Sequence, residues 1–148
     1  LDISTKAIKN NKKKYKNLEK KFKRKNFCIF FKKRISEKFS VYSRFTLHSV
    51  NHLEESIWIK NLKSQKNLEY LFIETRTIDD EFFGVGKRVG KNEYFSDHYR
   101  RFIVPSEIKK KLSKNFRIIY FRQSKSFAKF KKFKPNVLRI IAKKKGNK

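Results

Sequence analysis

Ile8, Tyr15, Leu18 and Phe22 recur at spacings of 7, 3 and 4. Those spacings set them on one face of a helix, with the intervening lysines turned to solvent. Ser4 stands ahead of the run as an acceptor for a first-turn N–H, so a helix is predicted over 5–17. Before it, Leu1 and Ile3 bracket Asp2 and read as the last turn of a buried strand. NFCIFF (26–31) is short, apolar and aromatic, and EKFSVYSRFTL (37–47) is rich in residues that suit a pleated surface. Both are predicted strands. NHLEESIWIKNLKSQ follows as a helix. Asn51 caps it, Glu54 and Glu55 occupy its first turns, and Lys60, Lys63 and Lys66 lie toward its end, the order the helix dipole favours. Leu53, Ile57 and Leu62, with Trp58 beside them, form its predicted apolar face.

NLEYLFIETR (67–76) is apolar enough to be a strand covered on both faces. After it comes TIDDEFFGVGKRVGKNEYFSDHYRRF, polar, glycine-bearing and longer than an ordinary connection, as functional loops are. GVGKRVG (84–90) within it reads as a flexible loop, since it follows a late strand and opens no amphipathic helix. Pro105 starts a helix in PSEIKKKLSKN. FRIIYFR (116–122) and VLRIIAK (137–143) are strands, and the gap between them, 123–136, has no helical pattern. They are therefore predicted to pair antiparallel at one sheet edge. Strands alternating with helices imply an α/β sheet. A single domain over 1–148 is expected, closing on a basic tail at 143–148.

Charge changes this picture more than composition does. The net charge is +28, but residues 52–98 hold 9 of the 13 acidic side chains against 7 basic ones. Residues 99–148 hold 18 basic and 1 acidic. A protein that merely coats a polyanion has little reason to concentrate acids in its middle third, whereas a site that recruits particular charges does. The alternative function class is a basic nucleic-acid-binding protein, ribosomal or RNA-associated, supported by lysines and arginines interleaved with 16 Phe and 6 Tyr. Non-specific polyanion binding is expected of the charge in either case. Cys28 is the single cysteine, so no internal disulfide is available, and it reads as a small core residue. No apolar run approaches the length of a membrane span, and the amino terminus lacks a secretory apolar segment. A cytoplasmic protein is expected.

The element order and several stretches resemble the class I S-adenosylmethionine-dependent methyltransferases. LDIS…AI…N resembles the end of that family's second strand, KFSVYSRFTLHSV its fourth strand, and LEYLFIETRTIDDEFFG its fifth strand with the following loop. NEYFSDHYRRFI and FRIIYF…VLRIIAKK resemble its C-terminal half. Bacterial members associated with sugar and surface-polysaccharide pathways are the most similar. The resemblance implies a Rossmann-like sheet ending in an antiparallel strand pair, S-adenosylmethionine as cofactor, and a small-molecule or glycan acceptor. It also implies that the first strand and its glycine-rich turn lie ahead of Leu1, so the domain is expected to be N-terminally truncated, its cofactor site incomplete and the chain alone inactive. At the end of the family's third strand an acid usually meets the adenine; here lysines and Arg34 stand there, with Glu37 the only acid nearby.

Asp2, at a strand's carboxyl end, is suited to accept from two vicinal ribose hydroxyls, or else caps the helix behind it. Arg44 and His48 lie where ligands of open α/β sheets bind and are the candidate catalytic residues. Arg44 would meet an anionic substrate group or a structural acid; His48 would accept a proton or pack structurally. Glu74, Arg76, His98, Tyr99, Arg100 and Arg101 are the candidate substrate contacts, since a guanidinium grips carboxylate or phosphate in a fork. A solvated basic turn is the competing reading for 98–101. Asp79-Asp80-Glu81 has no His or Cys at ligand spacing. No metal is predicted there, and an ion-pair cluster with Arg76 or Arg100 is expected.

Overall fold

The computed structural model describes residues 1–128 and 133–146. Its helices are α1 (Thr5–Lys14), α2 (Phe27–Phe30), α3 (His52–Ser64) and α4 (Pro105–Ser113). Its strands are β1 (Phe39–Arg44), β2 (Leu68–Arg76), β3 (Lys87–Gly90), β4 (Glu93–Phe95), β5 (Tyr99–Arg101), β6 (Phe116–Ser124) and β7 (Val137–Lys144). The main sheet runs β1-β2-β7-β6. β1 and β2 are parallel, with α3 as the crossover, and β7 is antiparallel to both β2 and β6. The predicted α/β sheet with a C-terminal antiparallel pair is thus present. The basic tail is shorter than expected, because Lys143 and Lys144 belong to β7; residues 147–148 of it lie outside the described residues, as do 129–132 of the gap between the last two strands.

Three local expectations are corrected. NFCIFF forms no strand. Asn26 accepts from Cys28 N at 2.8 Å and caps the short helix α2, which packs against α3 through Phe27 and Trp58, 6.0 Å apart. A short apolar run fits a buried helix as well as a strand, and here the cap decides. The first helix stops at Lys14, and Lys16–Lys21 continue as a 3-10 turn. Of its predicted stripe only Ile8 is buried; Phe22 is half-buried, and Tyr15 and Leu18 are exposed. GVGKRVG is not all loop either: Lys87–Gly90 form β3, and the long connection after β2 folds into a small antiparallel sheet, β3-β4-β5. Gly86 shapes its entry, with φ at 93° and Phe95 O only 2.5 Å from where a Cβ would stand.

The α3 face is also rotated from the expected one. Glu55, Trp58, Ile59 and Leu62 are buried, while Leu53 is 70% exposed. Residues 55, 58, 59 and 62 follow the spacing of one helical face. The sequence pattern hid it because its first member is an acid. Asn51 and Glu54 form a reciprocal capping box at the helix start, as the cap expectation required. The core joins Leu71 and Ile73 of β2 and Leu138 and Ile140 of β7 to α3 and α4. Cys28 lies within it, and burial, then Glu54, pushes its thiol up to about 11. Among the described residues no helix is long and apolar enough to cross a membrane.

Candidate functional site

β1 and β2 end side by side, and Arg44 of β1 faces Glu74 of β2 in register. Glu74 in turn faces Arg139 of β7. The buried Glu74 carboxylate accepts from Arg44 Nε at 2.9 Å and Arg139 Nε at 2.6 Å, so one acid holds a row across three strands. Just past β1, Phe45 takes φ 51° while its N–H donates to Glu74 O at 2.8 Å. A bulky non-glycine residue in this conformation is uncommon, and such positions cluster at functional sites.

A cavity of about 640 Å³ opens beside Phe45, with Arg44, Arg76, Phe82, Asp97 and Arg100 in its walls. Arg76, at the end of β2, donates through Nη1 to both oxygens of buried Asp80 at 2.8 and 3.0 Å. Arg100 of β5 donates through Nη1 to Asp97 Oδ1 and Ser96 Oγ, both at 2.6 Å. Donation from Arg100, and next from Ser96 Oγ at 2.7 Å, holds the exposed Asp97 carboxyl well below its ordinary range.

A second cavity, about 490 Å³, lies between the amino-terminal segment and β1, with Asp2, Asn26 and Glu54 in its walls. Arg44 and Phe45 line both cavities. Asp2 forms a parallel bridge with Arg24, and its Oδ1 accepts from Ser4 N at 2.7 Å.

Three of the sequence candidates, Arg44, Arg76 and Arg100, therefore meet at one cavity. The others stand apart from it. Glu74 lies behind Arg44. His98 is exposed, its Nδ1 2.9 Å from Asp97 Oδ2. Tyr99 points inward, and burial, then Glu93, raises its phenol pKa. Arg101 is only 1% exposed and donates to the Val50 and Leu47 carbonyls and to Glu55, filling a structural role. His48 is 8% exposed and packs edge-on against Phe45 at 5.7 Å. Burial, then the charge of Arg76, lowers its pKa to about 3, so the ring is neutral at physiological pH. Asp79, Asp80 and Glu81 turn to separate partners: Gln123, Arg76 and the Lys134 N–H. Phe45, Phe82 and Asp97 were not singled out in the sequence. The cue for Phe45 would have been its place one residue past a strand end; Phe82 and Asp97 carry none, since only tertiary folding brings them to the cavity.

No protein-family model matches the sequence, and no curated protein matches it. Solved structures do match. A SAM-dependent methyltransferase from Methanosarcina mazei superposes with a TM-score of 0.72 at 17% identity, over 99% of this chain and 81% of that one. An S-adenosylmethionine-dependent methyltransferase from Clostridium acetobutylicum superposes with a TM-score of 0.63 at 13% identity, over 98% of this chain and 74% of that one. The fold is that of the class I S-adenosylmethionine-dependent methyltransferases.

The methyltransferase fold allows a test of whether these residues suit that cofactor. Asp2, the residue expected at the ribose, lines the second cavity, and among the described residues its Oδ2 has no hydrogen-bond partner. Of the four glycines, Gly84, Gly86 and Gly90 belong to the β3 segment and Gly146 follows β7; none lines this cavity. Glu37, the acid that the resemblance would set nearest an adenine, is exposed and lines neither cavity. Of the features expected for the cofactor, the second cavity has the carboxylate and no glycine.

Proposed function

We propose that this chain is a methyltransferase domain whose residues supply the acceptor side of the reaction, with S-adenosylmethionine as donor and a small molecule or a sugar or polysaccharide precursor as acceptor. One observation supports the reading above all others. The Asp2 cavity and the arginine-lined cavity share the Arg44-Phe45 wall at the end of β1, so groups bound in the two would meet there. Methyl transfer asks chiefly for alignment, because the sulfonium is already activated. A protein nucleophile is not required. Asp2 is the ribose contact, and because no glycine lines its cavity the 148 residues alone hold the cofactor weakly and turn over little or not at all.

Isothermal titration of the chain with S-adenosylhomocysteine tests this. The expected result is saturable binding with a Kd on the order of 1 mM, lost in Asp2→Asn. Absence of saturable binding, or binding indifferent to Asp2→Asn, would reject the methyltransferase reading. A Kd of roughly 1 μM or below would reject the incomplete cofactor site.

A further inference from the structure

Arg44, Arg76 and Arg100 come from β1, the end of β2 and β5, and converge on the 640 Å³ cavity. Among the described residues each guanidinium bonds to protein through a single nitrogen: Nε of Arg44, Nη1 of Arg76 and Nη1 of Arg100. A guanidinium carries five N–H donors in a rigid planar fork, so most donors of the three have no acceptor among the described residues. Aromatic rings separate the three cations. Phe45 lies 5.1 Å from the Arg44 guanidinium carbon and 6.0 Å from that of Arg76. Phe82 lies 5.3 Å from Arg76 and 5.4 Å from Arg100. The negative ring faces attract the guanidiniums and orient their planes. The result is a ladder, Arg44-Phe45-Arg76-Phe82-Arg100, along one side of a cavity whose other walls include Val85 and Pro135. Mere charge neutralisation explains it poorly: the acids take one nitrogen from each cation, and Phe45, at φ 51°, lies against two of the three guanidiniums.

We infer that this cavity binds an oxyanion, a carboxylate or a phosphate monoester, carried on an aromatic or other apolar body. The anion takes the open guanidinium donors, and the body lies against Phe82 and the apolar wall. The inference rests on the methyl-transfer reading only in identifying this ligand as the methyl acceptor. Asp97 is its built-in competitor, since it is exposed and already holds one nitrogen of Arg100.

Titration calorimetry on the full chain, without cofactor and at about 0.15 M salt to screen the surface charge, tests the site. Phenyl phosphate, benzoate and inorganic phosphate are the probes. One saturable site is expected, with an aryl anion binding about tenfold tighter than inorganic phosphate. Tighter phenyl phosphate assigns a phosphate monoester, tighter benzoate a carboxylate. Arg44→Gln and Arg100→Gln should each weaken the aryl anion about tenfold, and Asp97→Asn should tighten it several-fold. Lys114→Gln, on exposed surface away from the cavity, should change nothing. Equal losses from Lys114→Gln and the arginine variants, or an Asp97→Asn protein with unaltered affinity, would overturn the inference. Because Asp97→Asn is expected to gain affinity, misfolding cannot imitate it. Anion binding without S-adenosylhomocysteine binding would reject the methyl-transfer reading and leave the anion site standing.

Discussion

Arg101 of β5 and Glu55 of α3, 46 residues apart in the chain, form an ion pair whose two side chains are each only 2% exposed. Lys111 of α4 approaches the other Glu55 oxygen. The pair ties the small β3-β4-β5 sheet to the crossover helix, and so places Arg100 beside the main sheet. Burial raises the Glu55 pKa, but Arg101 and Lys111 outweigh it, and the net shift is downward.

Glu55→Met leaves the Arg101 charge buried without its counter-ion and should cost about 3–5 kcal/mol. Arg101→Met should cost a similar amount. The double variant Glu55→Met with Arg101→Met should be far less destabilised than the sum of the singles, because an apolar pair removes both desolvation penalties. Urea unfolding of the three variants measures the coupling. Additive losses would show that the two residues do not act as a pair.

His48 predicts a pH dependence. Its folded pKa, about 3, lies below the ordinary 6.5, so below pH 6.5 the unfolded chain binds a proton that the folded chain refuses. The stabilisation is complete above pH 6.5 and is lost as pH falls toward 3, at up to about 1.4 kcal/mol per pH unit. Urea unfolding at pH 7, 6 and 5 should show the native protein weakening relative to His48→Phe across this window. Parallel curves for the two would place the His48 pKa near its ordinary value. Glu55 adds a second loss at lower pH: its stabilisation is present above the ordinary glutamate range and disappears as pH falls through the depressed folded value.

Gly86 and Gly84 share positive φ, at 93° and 85°, but differ in space. An added Cβ at Gly86 meets Phe95 O at 2.5 Å, while one at Gly84 meets nothing within 4 Å. Gly84→Ala should therefore cost about 1 kcal/mol from backbone conformation alone. Gly86→Ala should cost roughly 2–3 kcal/mol and speed amide exchange in β3 and β4. Equal costs at the two positions would mean that the Phe95 contact relaxes freely.

Phe45 carries a positive φ and two guanidinium contacts at once. Phe45→Gly relieves the backbone and deletes the ring. Its stability should stay within about 1 kcal/mol of the native protein, since strain relief and lost packing oppose each other. Aryl-anion affinity should nevertheless fall several-fold, because the arginine planes lose their spacer. Loss of stability with unchanged anion affinity would assign the ring to packing alone.

The sequence by itself determined the order of β1, α3, β2, α4, β6 and β7, the caps at Ser4 and Asn51, and the antiparallel closing pair. These rest on local periodicity and local hydrogen bonding, which a stretch of ten residues already contains. It also marked Arg44 as a candidate catalytic residue and Arg76, Arg100 and Arg101 among the candidate substrate contacts. Tertiary structure alone decided which cations face a ligand. Arg101, adjacent to Arg100, is turned into the core because Glu55 waits there, and alternation along β5 sends Arg100 to the opposite side. Periodicity could not reveal that Glu55 occupies a core position of α3, or that Phe45 and Phe82 would space three like charges. Those facts depend on contacts between residues far apart in the chain, whose energies exist only once the sheet has brought them together.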